Sequence, residues 1–239
     1  MSDGIYTAMS GAVAMDHNLD ILSNNLANVS TPGFKGARPS FEAVMAKAQG
    51  VDPARAGRQD VTISRMAVDF TQGPVSETGN ELDIALSGEG FLSADTDKGV
   101  RYTRRGTMQI DPQGRLAIGG SPLRSVGGGH ITIPDQAFVS IEEDGAVFAD
   151  DELVGQIELV TFKNKDGLKP VGGGFFQGNG AQADEQTEIL QGFVEGSNVN
   201  AVHGMTELIR TTRIFEASQK AIEAHKDMDT KLTGDIARI

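Results

Sequence analysis

Both ends of this chain carry a helical apolar stripe, and the long stretch between them is broken by glycine turns too often for helices to persist. Near the N-terminus Ile5, Ala8, Ala12, Met15, Leu19, Leu22, Leu26 and Val29 recur at alternating gaps of three and four. That spacing is an a/d seam, which buries one narrow stripe against another helix. From about Asn200 a second stripe runs through Met205, Leu208, Thr212, Phe215 and Ile222, interrupted by the polar Gln219. A chain that holds two such helices out from a β body is suited to joining other copies, not to enclosing a substrate. The expected assembly interface is Ile5, Met9, Ala12, Met15, Leu19, Leu22, Leu26 and Val29, with Met205, Leu208, Phe215 and Ile222 from the other end.

The first helix is expected over 4–28, roughly 37 Å at about 1.5 Å per residue. Asn24, Asn25 and Asn28 weaken its end, because Asn competes for its own backbone. The helix must stop before Thr31-Pro32-Gly33-Phe34. Pro32 presets the first central position of a turn, and Gly33 supplies the positive φ that a type II turn needs at the second. Residues 39–49 read as a short helix with Phe41, Val44 and Met45 on one side. Residues 50–59 are polar and rich in breakers, which predicts a mobile linker.

From Val61 the pattern changes to short strands: 61–64, 82–87, 91–94, 100–104, 107–110, 116–118, 131–133, 138–141, 146–149, 156–162, 168–171 and 175–177. Turn signals such as Asp111-Pro-Gln-Gly114, Gly127-Gly-Gly129 and Gly172-Gly-Gly174 separate them. Close strands without intervening helices predict an antiparallel sandwich or barrel-like domain. Residues 177–188 read as a loop and 189–195 as a return strand, with Asn200 the N-cap of the last helix. The domains expected are an N-terminal coiled-coil helix (1–35), a linker (36–75), a β-rich outer domain (76–188) and a return strand with C-terminal coiled-coil helix (189–239).

Composition narrows the function. The formal net charge is −12, a surface that repels nucleic acid and anionic membrane. There is no Cys, which removes disulfides, thiolate metal sites and cysteine nucleophiles together. With 5% aromatic residues and no Trp, the core is expected to be lean and aliphatic. No apolar run approaches the roughly 18 residues of a membrane span. Met1 to Tyr6 contain no Lys or Arg, so a secretory signal is not expected.

No constellation points to catalysis, a cofactor or a metal. His17, His130, His203 and His225 lack the spacing of a zinc helix. The glycine clusters match no nucleotide loop, and no G-x-S-x-G elbow is present. Glu142, Glu143, Asp144, Asp150, Asp151 and Glu152 cluster around an expected hairpin and read as its solvated rim; calcium is the weaker reading. Arg101, Arg104 and Arg105 form a basic spot, suited either to a carboxylate of a neighbouring copy or to a plain exposed strand edge.

Three stretches together resemble a known family. Ser23-Asn24-Asn25-Leu26-Ala27-Asn28-Val29-Ser30-Thr31-Pro32-Gly33-Phe34-Lys35 is similar to the N-terminal signature of bacterial flagellar rod and hook proteins. The middle agrees, from Thr78-Gly79-Asn80-Glu81-Leu82-Asp83 through Gly88-Glu89-Gly90-Phe91 to Tyr102-Thr103-Arg104-Arg105-Gly106. So does the end, from Glu195-Gly196-Ser197-Asn198-Val199-Asn200 to Arg213-Ile214-Phe215-Glu216-Ala217. The resemblance covers essentially the whole chain; the short length argues against a hook protein, and the opening Ile5-Tyr6-Thr7-Ala8-Met9-Ser10-Gly11-Ala12 with Val29-Ser30-Thr31-Pro32-Gly33 is most similar to the proximal rod branch, with the distal branch next. It implies a structural axial subunit, neither enzyme nor cofactor carrier. Partners would be further copies, other rod and hook subunits and the flagellar type III export apparatus. It implies export without a cleaved signal to the periplasmic rod, where terminal helices form coiled coils around a channel and the tube carries torque. Gly204 departs from the family pattern, and it weakens the expected first turn of the last helix. A different reading is a secreted β-domain binding module for glycan or calcium with a helical anchor.

Overall fold

The computed structural model describes residues 3–44 and 60–236. In chain order the elements are α1 (Asp3–Ala27), β1 (Ala37–Val44), β2 (Asp60–Val68), β3 (Val75–Glu77), β4 (Ile84–Ser87), β5 (Phe91–Thr96), β6 (Gly99–Thr103), β7 (Gln109–Ile110), β8 (Leu116–Ile118) and β9 (Ser121–Pro122). There follow β10 (Val139–Ile141), β11 (Ala146–Ala149), β12 (Glu152–Gln156), β13 (Leu159–Phe162), β14 (Lys169–Gly172), β15 (Phe175–Gln177), β16 (Ala181–Ala183), β17 (Glu188–Gln191), β18 (Phe193–Glu195) and α2 (Ala201–Ile236). They fall into two compact units. One combines α1, β1, most of β2 and α2; the other holds residues 28–36 and 68–199.

In the helical unit, α1 and α2 pack against each other. Asn200 caps α2 as expected: its Oδ1 accepts the His203 N–H at 3.0 Å. Gly204 does not interrupt the helix, and its backbone N–H donates to Asn200 O at 2.9 Å. Residues 37–44 are a strand, not the short helix expected from 39; positions 45–49 and the expected linker 50–59 lie outside the described residues. Asn25 explains part of the difference. Its amide takes the place of a strand edge, donating to Ala37 O at 2.7 Å and accepting from Ala37 N at 2.9 Å. With β2 as the other partner, the extended form of this segment satisfies its backbone, which outweighs a weak helical pattern.

The β unit is assembled from several small sheets. The largest has six strands in the order β14-β15-β6-β5-β13-β16, and every pairing among β3 to β18 is antiparallel. Among the described residues no sheet closes into a barrel. The segment 156–162 divides into the end of β12 and β13, and 189–195 divides at Gly192, where φ is +80°. Ile131 and Ile133 are buried, but their segment makes only a single bridge, Arg115 to Thr132. Strand β16 lies in what reads as a loop.

Two hydrophobic clusters fill the unit. The larger is aliphatic, centred on Ile84, Leu86, Leu92, Leu116, Ile118, Leu123 and Ile157. The larger matches the expected aliphatic core, and the smaller departs from it by being aromatic. Phe91 meets Phe70, Phe162 and Phe176 edge to face at 5.4, 5.7 and 6.2 Å between ring centroids. Edge-to-face pairing places a ring's positive rim on its neighbour's negative face, so a few rings gathered in one place stabilise beyond their buried area.

Candidate functional site

The segment that leaves α1 and the segment that enters α2 dock on each other within the β unit. Thr31-Pro32-Gly33-Phe34 forms the expected turn: Phe34 N donates to Thr31 O at 3.3 Å, and Gly33 has φ +68°. Gly33 N also donates to Glu195 O at 2.7 Å. A Cβ added to Gly33 would stand 2.5 Å from Arg105 Cα. Glycine is required here twice over, by its φ and by the approach of a neighbouring backbone.

Glu195 is the centre of the junction. Lys35 Nζ donates to its Oε1 at 2.5 Å, and Gly73 N donates to the same oxygen at 2.9 Å. Arg104 Nε donates to Oε2 at 3.2 Å. The side chains of Lys35 and Glu195 are fully buried and that of Arg104 is 2% exposed. Two cations therefore face one carboxylate out of water. Backbone carbonyls disperse the additional positive charge: Lys35 donates to Thr71 O at 2.7 Å, and Arg104 donates to Gly88 O and Gly90 O at 2.8–2.9 Å. The guanidinium also lies 5.8 Å from the Phe91 ring centre, a favourable cation–π distance. Burial holds the Lys35 ammonium below the usual lysine range; its hydrogen bond to Glu195 opposes that without cancelling it.

Asn198 completes the docking. Its Oδ1 accepts Gly36 N at 2.8 Å, while Nδ2 donates to Asp69 O at 2.7 Å. One side chain thus holds three separate pieces of chain in register.

Of the basic spot expected from Arg101, Arg104 and Arg105, only Arg101 and Arg105 reach the surface, each half-buried. Arg104 belongs to the interior, because β6 ends at Thr103 and the chain then turns inward, with Gly106 so close that an added Cβ would overlap Ile84 O. Lys35, Gly73, Arg104, Glu195 and Asn198 escaped the sequence reading as a group. The available signal was charged residues placed directly beside turn glycines, Lys35 after Gly33-Phe34 and Glu195 before Gly196.

The expected interface residues divide. On α1 the most buried positions are Ala14 and Ile21, each 5% exposed, with Ala12, Met15, Leu19, Leu22 and Leu26 half-buried beside them and Val29 half-buried just beyond the helix. Met9 is exposed, and the side chain of Ile5 lies outside the described residues. On α2 Thr211 is buried, Leu208, Phe215 and Ile222 are half-buried, and Met205 is exposed. His17 and His203 are exposed, and His130 lies 3.0 Å from Asp95. Among the described residues no cluster of three or more potential ligands could hold a metal ion, and no helix is long and apolar enough to cross a membrane.

The two docked segments coincide with regions that known proteins share. Family models match at residues 5–35 (flagella basal body rod protein), 85–149 (flagellar hook protein FlgE/F/G D1 domain) and 190–234 (flagellar basal body rod FlgEFG protein, C-terminal). Along the full length, the chain is 34% identical to the flagellar basal-body rod protein FlgF of Escherichia coli, covering 95% of each. It is 31% identical to FlgF of Caulobacter vibrioides over 100% of both chains. FlgG of Bacillus subtilis is 31% identical, over 93% of this chain and 94% of its own. The chain belongs to the flagellar basal-body rod protein family. This rod protein is a structural subunit and not an enzyme, as the resemblance implied. Rod-family members assemble with other subunits of the flagellar basal body. Nothing supports the alternative of a glycan- or calcium-binding module. In this rod protein the junction around Glu195 joins the N-terminal and C-terminal matched regions directly, through Lys35 and Gly33.

Proposed function

We propose that this chain is a FlgF-type proximal rod subunit that polymerises through its terminal helices. Neighbouring copies of α1 and α2 pack as coiled coils around an axial channel. The contacts do not close on themselves, so they build a helical tube, which carries torque from motor to hook. The subunit reaches the periplasmic rod through the flagellar type III export apparatus with no cleaved signal.

One observation carries this reading. The helices that pack on each other within the subunit still leave large apolar side chains in water: Met9 and Val13 on α1, and Val202, Met205 and Ile209 on α2, each more than half exposed. Val202, Met205 and Ile209 follow a three-four spacing, so they lie along one side of α2. Helices gain most of their stability from packing an apolar face, and this face has no cover in the single subunit. Leu19, Leu22, Leu208 and Phe215 are half-buried and belong to the same proposed interface.

Replacing Met205 and Ile209 together by Asp tests it. These side chains are exposed, so the purified variant keeps the wild-type unfolding midpoint, yet it fails to enter basal bodies and the cells lose motility. Normal rods built from that variant would refute the proposal.

A further inference from the structure

The sheet β10–β11–β12 turns an apolar row outward. Ser140 pairs with Phe148, and Phe148 with Leu153; cross-strand partners lie on one face. Phe138, two residues before Ser140, falls on the same face, and its carbonyl continues the ladder by accepting Asp150 N–H at 3.1 Å. Phe138 is 62% exposed and Leu153 59%, while Val139, Ile141, Val147 and Ala149 on the other face are buried. Grouped large apolar side chains left in water mark a contact surface more often than scattered ones do.

The rim of this face is acidic and stiff. Asp150 and Asp151 join β11 to β12 with φ of 49° and 69°, the signs of a two-residue type I′ turn. Asp150 Oδ1 accepts Phe138 N–H at 3.0 Å, which ties the turn to the apolar row. Asp151 and Glu152 are exposed.

The same unit carries a cation with unused donors. Arg105 Nε is buried without a hydrogen-bond partner, and among the described residues no carboxylate forms an ion pair with this guanidinium. The side chain runs between two glycine turns: a Cβ at Gly119 would stand 3.8 Å from Nη1, and one at Gly174 would stand 3.9 Å from Cδ. The Arg105 residue as a whole is half-buried. Val171, close by in sequence at the second turn, is 46% exposed. The glycine turn that lies against Arg105 thus follows directly on an exposed apolar residue, the complement of the acidic, apolar hairpin.

The geometry points to a head-to-tail contact between copies of this chain, in which Asp151 of one copy seats on Arg105 of the next and Phe138 with Leu153 covers Val171 and the glycine turns. A planar guanidinium takes a carboxylate through two parallel hydrogen bonds, which gives the contact direction as well as charge. Each copy presents both surfaces, so the contact repeats without closing. It rests on the axial-subunit reading and adds a second, β-unit layer of contacts to it.

The chain has no Cys, so introduced thiols are the only ones. A double variant, Ser121→Cys beside the Gly119-Gly120 turn and Glu152→Cys beside Asp151, is placed in cells and the isolated basal bodies are treated with a short bis-maleimide. The expected result is a ladder of dimers and higher multiples of this chain, absent from either single variant. In the same background Arg105→Glu or Asp151→Arg lowers cross-linking at least tenfold, and the two together restore it to within twofold. Incorporation into basal bodies without cross-linking overturns this contact and leaves the axial reading intact. Cross-links to a different basal-body protein overturn the choice of a second copy. Dimers from one single variant overturn the head-to-tail arrangement. Absence of a folded double variant from basal bodies overturns the axial reading and this contact with it.

Discussion

Lys35 and Glu195, separated by 160 positions in the chain, form a fully buried ion pair at 2.5 Å that ties the segment leaving α1 to the segment entering α2. Two segments far apart in the chain, one following α1 and one preceding α2, are thus held to each other within the β unit by a single salt bridge.

The charge balance of the junction ranks its substitutions. Glu195→Gln leaves Lys35 and Arg104 facing each other without a carboxylate, and breaking a buried pair in this way costs about 3–5 kcal/mol. Lys35→Met removes one of two cations and leaves the Arg104–Glu195 pair, so it costs less. Urea unfolding of both variants checks the order; a larger loss for Lys35→Met would mean that the Thr71 and Glu195 bonds of Lys35 outweigh charge balance.

Alkaline pH should move the wild type and Lys35→Met apart. Because burial lowers the Lys35 pKa in the folded state, the unfolded chain binds that proton more tightly. The contribution of Lys35 to stability is therefore least below its folded pKa, and it rises as pH climbs from there to the ordinary lysine range. Unfolding free energies measured across that window should shift in favour of wild type relative to Lys35→Met. The opposite slope would mean that Glu195 dominates the site.

Glycine substitutions separate backbone strain from crowding. Gly99 has φ +92° with open space around it, so Gly99→Ala bears only the left-handed penalty of about 1–2 kcal/mol. Gly33→Ala bears that and a backbone contact with Arg105 at 2.5 Å. Its thermal midpoint should fall clearly further than that of Gly99→Ala, and equal midpoints would mean the turn can shift aside.

Phe91 touches three rings and the Arg104 guanidinium. Phe91→Ala is expected to lose about 3–5 kcal/mol, the range for deleting a buried aromatic side chain. Phe91→Leu keeps most of the volume and should recover a good part of the loss. Denaturant midpoints decide, and a loss below about 1.5 kcal/mol, the range of volume-conserving swaps, would mean the cluster repacks around the hole.

Exposed Met205 predicts a separation of stability from assembly. With Ile209, its replacement by Asp should leave the unfolding curve of the purified subunit unchanged and remove the subunit from basal bodies. A large drop in unfolding midpoint would mean the stripe is covered within the subunit.

What could be read along the chain was what local chemistry settles. The period of apolar residues in 5–29 and 205–222 announced the two helices, because a helix repeats over a few residues whatever surrounds it. The turn at Pro32-Gly33 and the Asn200 cap follow from the φ restriction of proline, the freedom of glycine and the reach of an asparagine side chain. Many strands were legible to within a residue or two for the same reason. Tertiary structure decided the rest. Residues 37–44 became a strand because Asn25 and β2 supplied backbone partners from elsewhere. Arg104, which reads as surface, went inside because Glu195, 91 positions away, waits there with the carbonyls of Gly88 and Gly90. The few aromatic rings became a core of their own because folding gathered them. Each of these depends on groups far apart in sequence meeting in space, and periodicity carries no record of such meetings.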